Sequence, residues 1–304
     1  MGTQGDLVHS PTVSPAQQPL FERQYGRTSF GFEHRLANEP LLSVASLQEL
    51  AHRLAPANVY RSCGQIRVGD RWETGADRAA TLDETFATLA TGNALIMLRG
   101  GVHDPVLGPL LRGVLQELVD LVGRRLGQDL TSARATILLA SPRRITAYHI
   151  DADVNFLMQV AGSKRFYVHD AHDQSIITDE ELELYFAGDA NAARFVEARS
   201  GEAVCHRLAP GLGAHVPACA PHWAVNGDEV SIAVSFNFDL RSVDRLAGVY
   251  KINRRLRQIG IHPVGPRAAG HTSRLKLAAY RTYAAGLGPR PPSGTDAGWV
   301  PDRC

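Results

Sequence analysis

The chain has 304 residues, 44% of them hydrophobic and 21% charged, with 32 Lys and Arg against 31 Asp and Glu for a formal net charge of +1. That length suits one large β-rich domain with helical additions or two smaller domains, with room for a sizeable core either way. Near-neutrality leaves no global field to recruit nucleic acid or an acidic membrane. Cys63, Cys205, Cys219 and Cys304 are scattered with no CxxC pair, the usage of a reduced compartment, and are expected to be free thiols. No basic patch precedes an apolar run at the N-terminus, and no run of about eighteen apolar residues occurs, so the expected location is the cytoplasm.

Residues 1–20, rich in Pro, Gln and Ser, read as a mobile tail, and 21–133 as a supporting region of helices and strands. Ser46-Leu-Gln-Glu49 and Thr81-Leu-Asp-Glu84 carry the capping-box pattern ahead of apolar periodicity, the second predicting a helix that stops at Gly92. Ala94–Leu98 reads as a short strand. Leu and Val at helical spacing from Leu107 to Val122 predict an amphipathic helix within Pro105–Leu126, packed on a sheet.

From residue 134 the texture changes to short strands at Ala135–Ala140, Thr146–Asp151, Asn155–Val160, Lys164–His169, Ala203–Leu208, Gly213–Pro217 and Glu229–Phe238. A helical insertion opens at Thr178-Asp-Glu-Glu181. This order predicts an antiparallel barrel or sandwich over 134–240 rather than a parallel α/β sheet. GxGxxG and GxxxxGK[ST] are both absent, so nothing signals a nucleotide cradle. Residues 241–304 read as a helical extension, Val243–Ile259 and Ser273–Ala285, with a Gly/Pro-rich end.

Residues 146–170, TAYHIDADVNFLMQVAGSKRFYVHD, set His149 and Asp151 two apart in apparent strand, where alternation aims both to one face with Ala147 and Asp153. His222, in HVPACAPHWAVNGDEVSIAVSFNF, is the best third partner. Two imidazoles and a carboxylate make the facial triad of non-haem Fe(II) oxygenases, which leaves coordination positions open. Taken singly each residue has a plainer reading: His149 as a hydrogen-bonded core histidine, His222 as a loop residue, Trp223 as packing. Lys164 shifts the balance. It follows the turn Ala161-Gly162-Ser163 on a strand whose alternate residues Phe166 and Val168 are apolar, so it points inward unless Arg165 takes that place. A buried ammonium needs an anion, and the far end of a dicarboxylate would supply one, with Thr146 adding a hydroxyl.

With these residues in view, TAYHIDADVNFLMQVAGSKRF and VPACAPHW…NGDEVSIAVSFNF resemble the jumonji C and cupin-like Fe(II)/2-oxoglutarate oxygenases, particularly their small hydroxylase branch. The flanks FGFEHRLANEPLLSVASLQELAHRL and VYKINRRLRQIGIHPVG resemble a bacterial set of cupin-like proteins. The resemblance implies a double-stranded β-helix (jelly-roll, cupin) barrel with N-terminal and C-terminal helical additions. It implies Fe(II) held by His149, Asp151 and His222, with 2-oxoglutarate and O2 as cosubstrates. Lys164 and Thr146 match the residues that hold the distal carboxylate of 2-oxoglutarate, and Asn155 matches a pocket-lining Asn. Where the family's hydroxylases place an Asn in the last strand, this chain has Ser235, with Asn237 two further on.

The implied reaction is hydroxylation of an unactivated C–H, on an amino-acid side chain of a protein or peptide or else on a small-molecule metabolite. Arg143 and Arg144 are placed at a strand end near the barrel mouth. A non-catalytic cupin-like ligand-binding regulator stays open, as does an O2-independent metal cupin. No helix-turn-helix or zinc finger is present, and Lys251–Arg257 reads as a solvated or dimer-forming helix face, so no specific nucleic acid is expected. An apolar face of Leu246, Val249, Ile252, Leu256 and Ile259 suggests a homodimer through the C-terminal helices.

Overall fold

The computed structural model describes residues 11–71, 80–266 and 298–300. In chain order the elements are α1 (Gln18–Gln24), β1 (Phe30–Glu33), α2 (Val44–Arg53), β2 (Val59–Ser62), α3 (Leu82–Ala87), β3 (Leu95–Leu98), α4 (Gly108–Val122) and α5 (Arg124–Gly127). There follow β4 (Leu130–Ala140), β5 (Ile145–His149), β6 (Val154–Ala161), β7 (Lys164–Val168), α6 (Asp179–Phe186), β8 (Val204–Leu208), β9 (Leu212–Val216), β10 (His222–Asn226), β11 (Ser231–Leu240) and α7 (Arg241–Gln258).

The strands form a seven-stranded sheet, β1-β9-β6-β11-β4-β3-β2, and a four-stranded sheet, β5-β10-β7-β8, every pairing antiparallel. From β4 onward the chain winds between the two sheets as the expected double-stranded β-helix. Strands β1, β2 and β3 add edges to the larger sheet, so the N-terminal region is part of the same β structure.

Alternation sorts the larger sheet's faces. Ala135, Ile137 and Leu139 of β4 and Phe236 and Phe238 of β11 join a core with Leu47 and Leu50 of α2 and Leu111, Leu115 and Leu118 of α4. The intervening Arg134, Thr136, Leu138, Ser235, Asn237 and Asp239 face a cavity inside the barrel. Strand β6 lies mid-sheet between a helix-covered face and the smaller sheet, and all but its last residue are buried. At the β6–β7 turn Gly162 takes φ 64°, and a Cβ there would collide with Val230 O, so only glycine permits the tight turn that starts β7 at Lys164.

Several local expectations are corrected. Residues 11–20 are no tail: Val13 and Phe21 are buried, the Val13 N–H donates to Glu117 at 3.0 Å, and a 3-10 turn at Pro15–Gln17 leads into α1. The cap of α2 is Ser43, not Ser46, because Ser46 lies within the helix and its hydroxyl bonds Pro40 O at 3.0 Å. The boxes at Thr81–Glu84 and Thr178–Glu181 both form. The Thr81 helix ends at Ala87, five residues before Gly92. Strand β4 begins at Leu130 rather than 134. The helix expected at Ser273–Ala285 lies outside the described residues.

Helix α7 packs on α6. Tyr250 donates to Asp179 at 2.9 Å, Arg257 bonds Glu183 and Glu180 at 2.8 Å, and Val249 is buried. Much of the apolar face expected to serve a dimer is thus covered within the chain, while Ile259 stays exposed. No helix among the described residues is long and apolar enough to cross a membrane.

His215 ties the N-terminal segment to the sheet. Its Nε2 accepts the Gly26 N–H at 3.1 Å and its Nδ1 donates to Asn155 O at 3.2 Å, among the rings of Phe156, Phe30 and Tyr25. Both nitrogens are committed, and burial pushes its pKa down to about 3. His34 is similarly placed between the Leu36 N–H and Leu212 O, and burial lowers it to about 4. Both histidines titrate normally in the unfolded chain, so their stabilisation is complete above about pH 6.5 and is lost as pH falls below it, at ~1.4 kcal/mol per unit per group. Denaturant melts across that range should therefore show a steep acid loss, which His215→Phe reduces. An unchanged slope in that variant contradicts the assignment.

Candidate metal centre

Strand register brings the two histidines together: His222, first residue of β10, pairs directly with His149, last residue of β5. Their ring centroids lie 4.1 Å apart. His149 Nδ1 is 2.8 Å from Ala147 O and His222 Nδ1 is 2.8 Å from Ala220 O. A carbonyl oxygen only accepts, so each Nδ1 carries a proton, and a neutral ring so held keeps its lone pair on Nε2. Asp151 Oδ2 sits 3.6 Å from both Nε2 atoms. The three donor atoms lie within 4.8 Å of one another, the one such cluster of histidine, cysteine or carboxylate groups among the described residues.

The expected strand through Asp151 is corrected: β5 stops at His149, and Asp151 lies in the connection to β6. Two contacts hold that connection. The Cys219 N–H donates to Asp151 O at 2.7 Å, with Cys219 in the left-handed region at φ 61°, and the Ala152 N–H donates to Tyr185 Oη at 3.0 Å. Cys219 therefore serves the site through its backbone. Burial, reinforced by the neighbouring His149, pushes the pKa of His222 down to about 4, against the pull of Asp151, so its ring stays neutral at physiological pH.

The donors open on a cavity of about 760 Å³ between the sheets. Thr146, His149, Asp151, Asn155, Lys164, His222, Ser235 and Asn237, all singled out in the sequence, line it. On β7, Lys164, Phe166 and Val168 are buried and Arg165 is exposed, which settles the direction of the lysine. Lys164 pairs with Asn226, four residues along β10 from His222, and Phe166 and Ala224 occupy the row between. The Phe166 ring stands edge-on to His222 at 5.5 Å, while Ala224 leaves space beside it. Among the described residues the Lys164 ammonium has no hydrogen-bond or ion-pair partner, and burial alone pushes its pKa down to about 8.

The larger sheet contributes a polar chain along the opposite wall. Asn155 Nδ2 donates to Ser235 Oγ at 2.5 Å, Ser235 Oγ to Asn237 Oδ1 at 2.9 Å, and Asn237 Nδ2 to Asp153 Oδ1 at 3.0 Å. Arg134 then bridges Asp153 and Asp239. Asn155 Oδ1 is buried with no partner among the described residues. Burial and the Asp151 charge push Asp153 up to about 7 despite Arg134. Arg134 and Asp239 escaped the sequence reading. The available signal was a charged residue alternating with Ala133, Ala135 and Ile137 in an apolar strand.

Other expectations change. Arg143 is exposed and faces Asp228, but Arg144 is buried, bonded to Gly64 O, Asn93 O and Ser62 Oγ, and anchors the β4–β5 turn rather than any mouth. Trp223 points away from the cavity and stacks on Tyr167, centroids 4.7 Å apart. Cys63, Cys205 and Cys219 form no disulfide with one another.

Arg134→Ala strands Asp153 as a buried unpaired carboxylate and is expected to cost roughly 3–5 kcal/mol of unfolding free energy. Adding Asp153→Asn should recover much of that loss. Additive costs in the double variant would show that the two residues are not coupled.

No protein-family model and no curated protein sequence matches the chain. Its fold is similar to solved structures. One is the crystal structure of Escherichia coli ribosomal oxygenase YcfD, at 15% identity over 90% of this chain and 67% of that one, TM-score 0.52. Another is an X-ray structure of E. coli YcfD, at 16% identity over 90% of this chain and 68% of that one, TM-score 0.55. At that identity the likeness establishes the fold, and the chemistry rests on the residues.

Proposed function

We propose that this chain is an Fe(II)- and 2-oxoglutarate-dependent oxygenase that hydroxylates an unactivated C–H on an amino-acid side chain of a protein or peptide. The observation that carries the reading is a single cavity with the His149, Asp151, His222 cluster at one level and the buried, unpartnered Lys164 at another. Two imidazoles and one carboxylate suit a divalent iron and leave positions for a chelating cosubstrate and O2. When bound, that iron supplies the oxidising power that inserts oxygen into a C–H bond as 2-oxoglutarate gives up CO2 and leaves as succinate.

The chain's own residues do the positioning. The Lys164 ammonium, desolvated and unpaired, receives the distal carboxylate, and Thr146 offers a hydroxyl beside it. Phe166, Ala224 and Leu157 form an apolar slot that limits water around the cosubstrate. Asn155 lines the cavity and is held by Ser235. Toward the mouth, Arg99, Asp239, Asp244 and Lys251 present both signs of charge, which suits a polar chain better than a purely anionic or cationic ligand. The description of the similarly folded YcfD as a ribosomal oxygenase supports a macromolecular substrate. The cavity of about 760 Å³ also falls within the small-ligand range, the one feature that favours a metabolite instead.

Succinate release that needs Fe(II), 2-oxoglutarate and O2 tests the reading. Lys164→Ala should raise the 2-oxoglutarate requirement about 100-fold, the scale of truncating one partner of a buried charge pair. Since the free lysine titrates near 8 and only the ammonium pairs with a carboxylate, cosubstrate binding should weaken as pH rises above that value. Lys164→Arg, permanently charged, should lose this alkaline decline. Undiminished cosubstrate binding by Lys164→Ala would overturn the assignment.

A further inference from the structure

A second concavity of about 560 Å³ lies outside the barrel, where α5 meets the β11–α7 junction and the loops around Ala171 and Pro217. Arg124, Arg125, Arg241 and Arg245 line it, and Asp129 is the one carboxylate among its described lining residues. Asp129 is already committed: it accepts the Ser242 N–H at 2.9 Å and the Ser242 hydroxyl, and so caps α7. None of the four arginines lies within ion-pair distance of a carboxylate among the described residues. Two are fixed by bonds that leave their charge intact. Arg125 donates to Glu22 O and Tyr25 O at 3.1 and 3.0 Å, and Arg241 to Gln128 O and Leu130 O at 3.1 and 3.2 Å. Arg124 and Arg245 are exposed, with no side-chain partner among the described residues.

Four guanidinium groups against one occupied carboxylate make a concentrated positive site on a chain whose total formal charge is only +1. We infer that this cleft binds single-stranded nucleic acid through its phosphates. Guanidinium forks match phosphate oxygens bidentately, and the groups fixed to backbone carbonyls are held in place beforehand. Of the apolar lining residues Val154, Pro217 and Leu240 are buried and only the small Ala171 and Ala218 and the half-buried Val243 show partly, so the cleft offers guanidinium groups rather than deep pockets for the side chains of an acidic peptide. Tyr25 is buried, which leaves the exposed His172 as the lining ring on which a base of a single strand could stack, a contact every base can make, so recognition is sequence-independent. Leu240 and Val243 line both this cleft and the barrel cavity, so a bound strand would run beside the entrance to the metal centre. The inference stands apart from the oxygenase reading.

The test is fluorescence anisotropy of a labelled oligo-uridine on the full chain, with no metal or cosubstrate, from about 50 to 200 mM salt. Binding should fall linearly in log–log form with a slope of roughly −0.7 per phosphate neutralised. Arg124→Ala with Arg245→Ala should weaken binding about tenfold or more at the low-salt end and remove about 1.4 from the slope, whereas Arg143→Ala, on an exposed arginine paired with Asp228, should do neither. Oligo-thymidine should bind alike. Both substituted arginines are exposed, and a thermal melt checks that the double variant folds. No binding at low salt, an unchanged slope in the double variant, or equal competition by an oligo-glutamate peptide would each overturn the inference, the last by making the cleft a site for an acidic protein.

Discussion

The site depends on two hydrogen bonds that point away from it. The Nδ1 protons of His149 and His222 are drawn to carbonyls two residues back in the chain, Ala147 O and Ala220 O. That fixes both tautomers and aims both Nε2 lone pairs at Asp151, a supporting contact of the kind metal-binding histidines use. The bonds follow from β5 and β10 meeting with His149 and His222 in register. That meeting depends in turn on the chain winding between the two sheets. The two histidines are therefore brought together by strand pairing, and the loop tied by Cys219 and Tyr185 adds Asp151.

The cavity's two walls are built on different physics. The smaller sheet supplies an apolar slot with one desolvated cation, which is costly without an anion and so prepared for one. The larger sheet supplies a relay of amides, a hydroxyl and carboxylates that satisfies nearly all of its own members and leaves one buried oxygen, Asn155 Oδ1, without a partner among the described residues. Behind it, the neutral His215 links the Asn155 carbonyl to the N-terminal segment, so the wall and the first helix are held by one ring.

Much of this was legible in the sequence because it is carried by period-two alternation. Lys164, Phe166 and Val168 announced an inward-facing lysine, and the turn at Gly162 announced where its strand starts. The antiparallel order of strands pointed to the barrel, and all eight candidate residues share its cavity. What escaped depends on chain separation. Arg134 and Asp239 meet across 105 residues because β4 and β11 pair, and Arg124 and Arg245 share a cleft because α5 lies against the start of α7. Residues 11–20 differ from the expected tail because their Pro, Gln and Ser content hides Val13, which joins Phe21 in the core. Asp151 reaches the cluster by another route than the alternation expected for it. The loop, tied by Cys219 and Tyr185, places it, not strand alternation.

The most direct test of the central claim is optical and anaerobic. Fe(II) and then 2-oxoglutarate are added to the purified chain, and the visible metal-to-ligand charge-transfer band is followed in the native protein and in His149→Ala. The account requires a band that saturates with one metal and one cosubstrate per chain and is lost in the variant. No band with both components in excess, or an equal band in His149→Ala, would mean that His149, Asp151 and His222 do not bring iron and cosubstrate together.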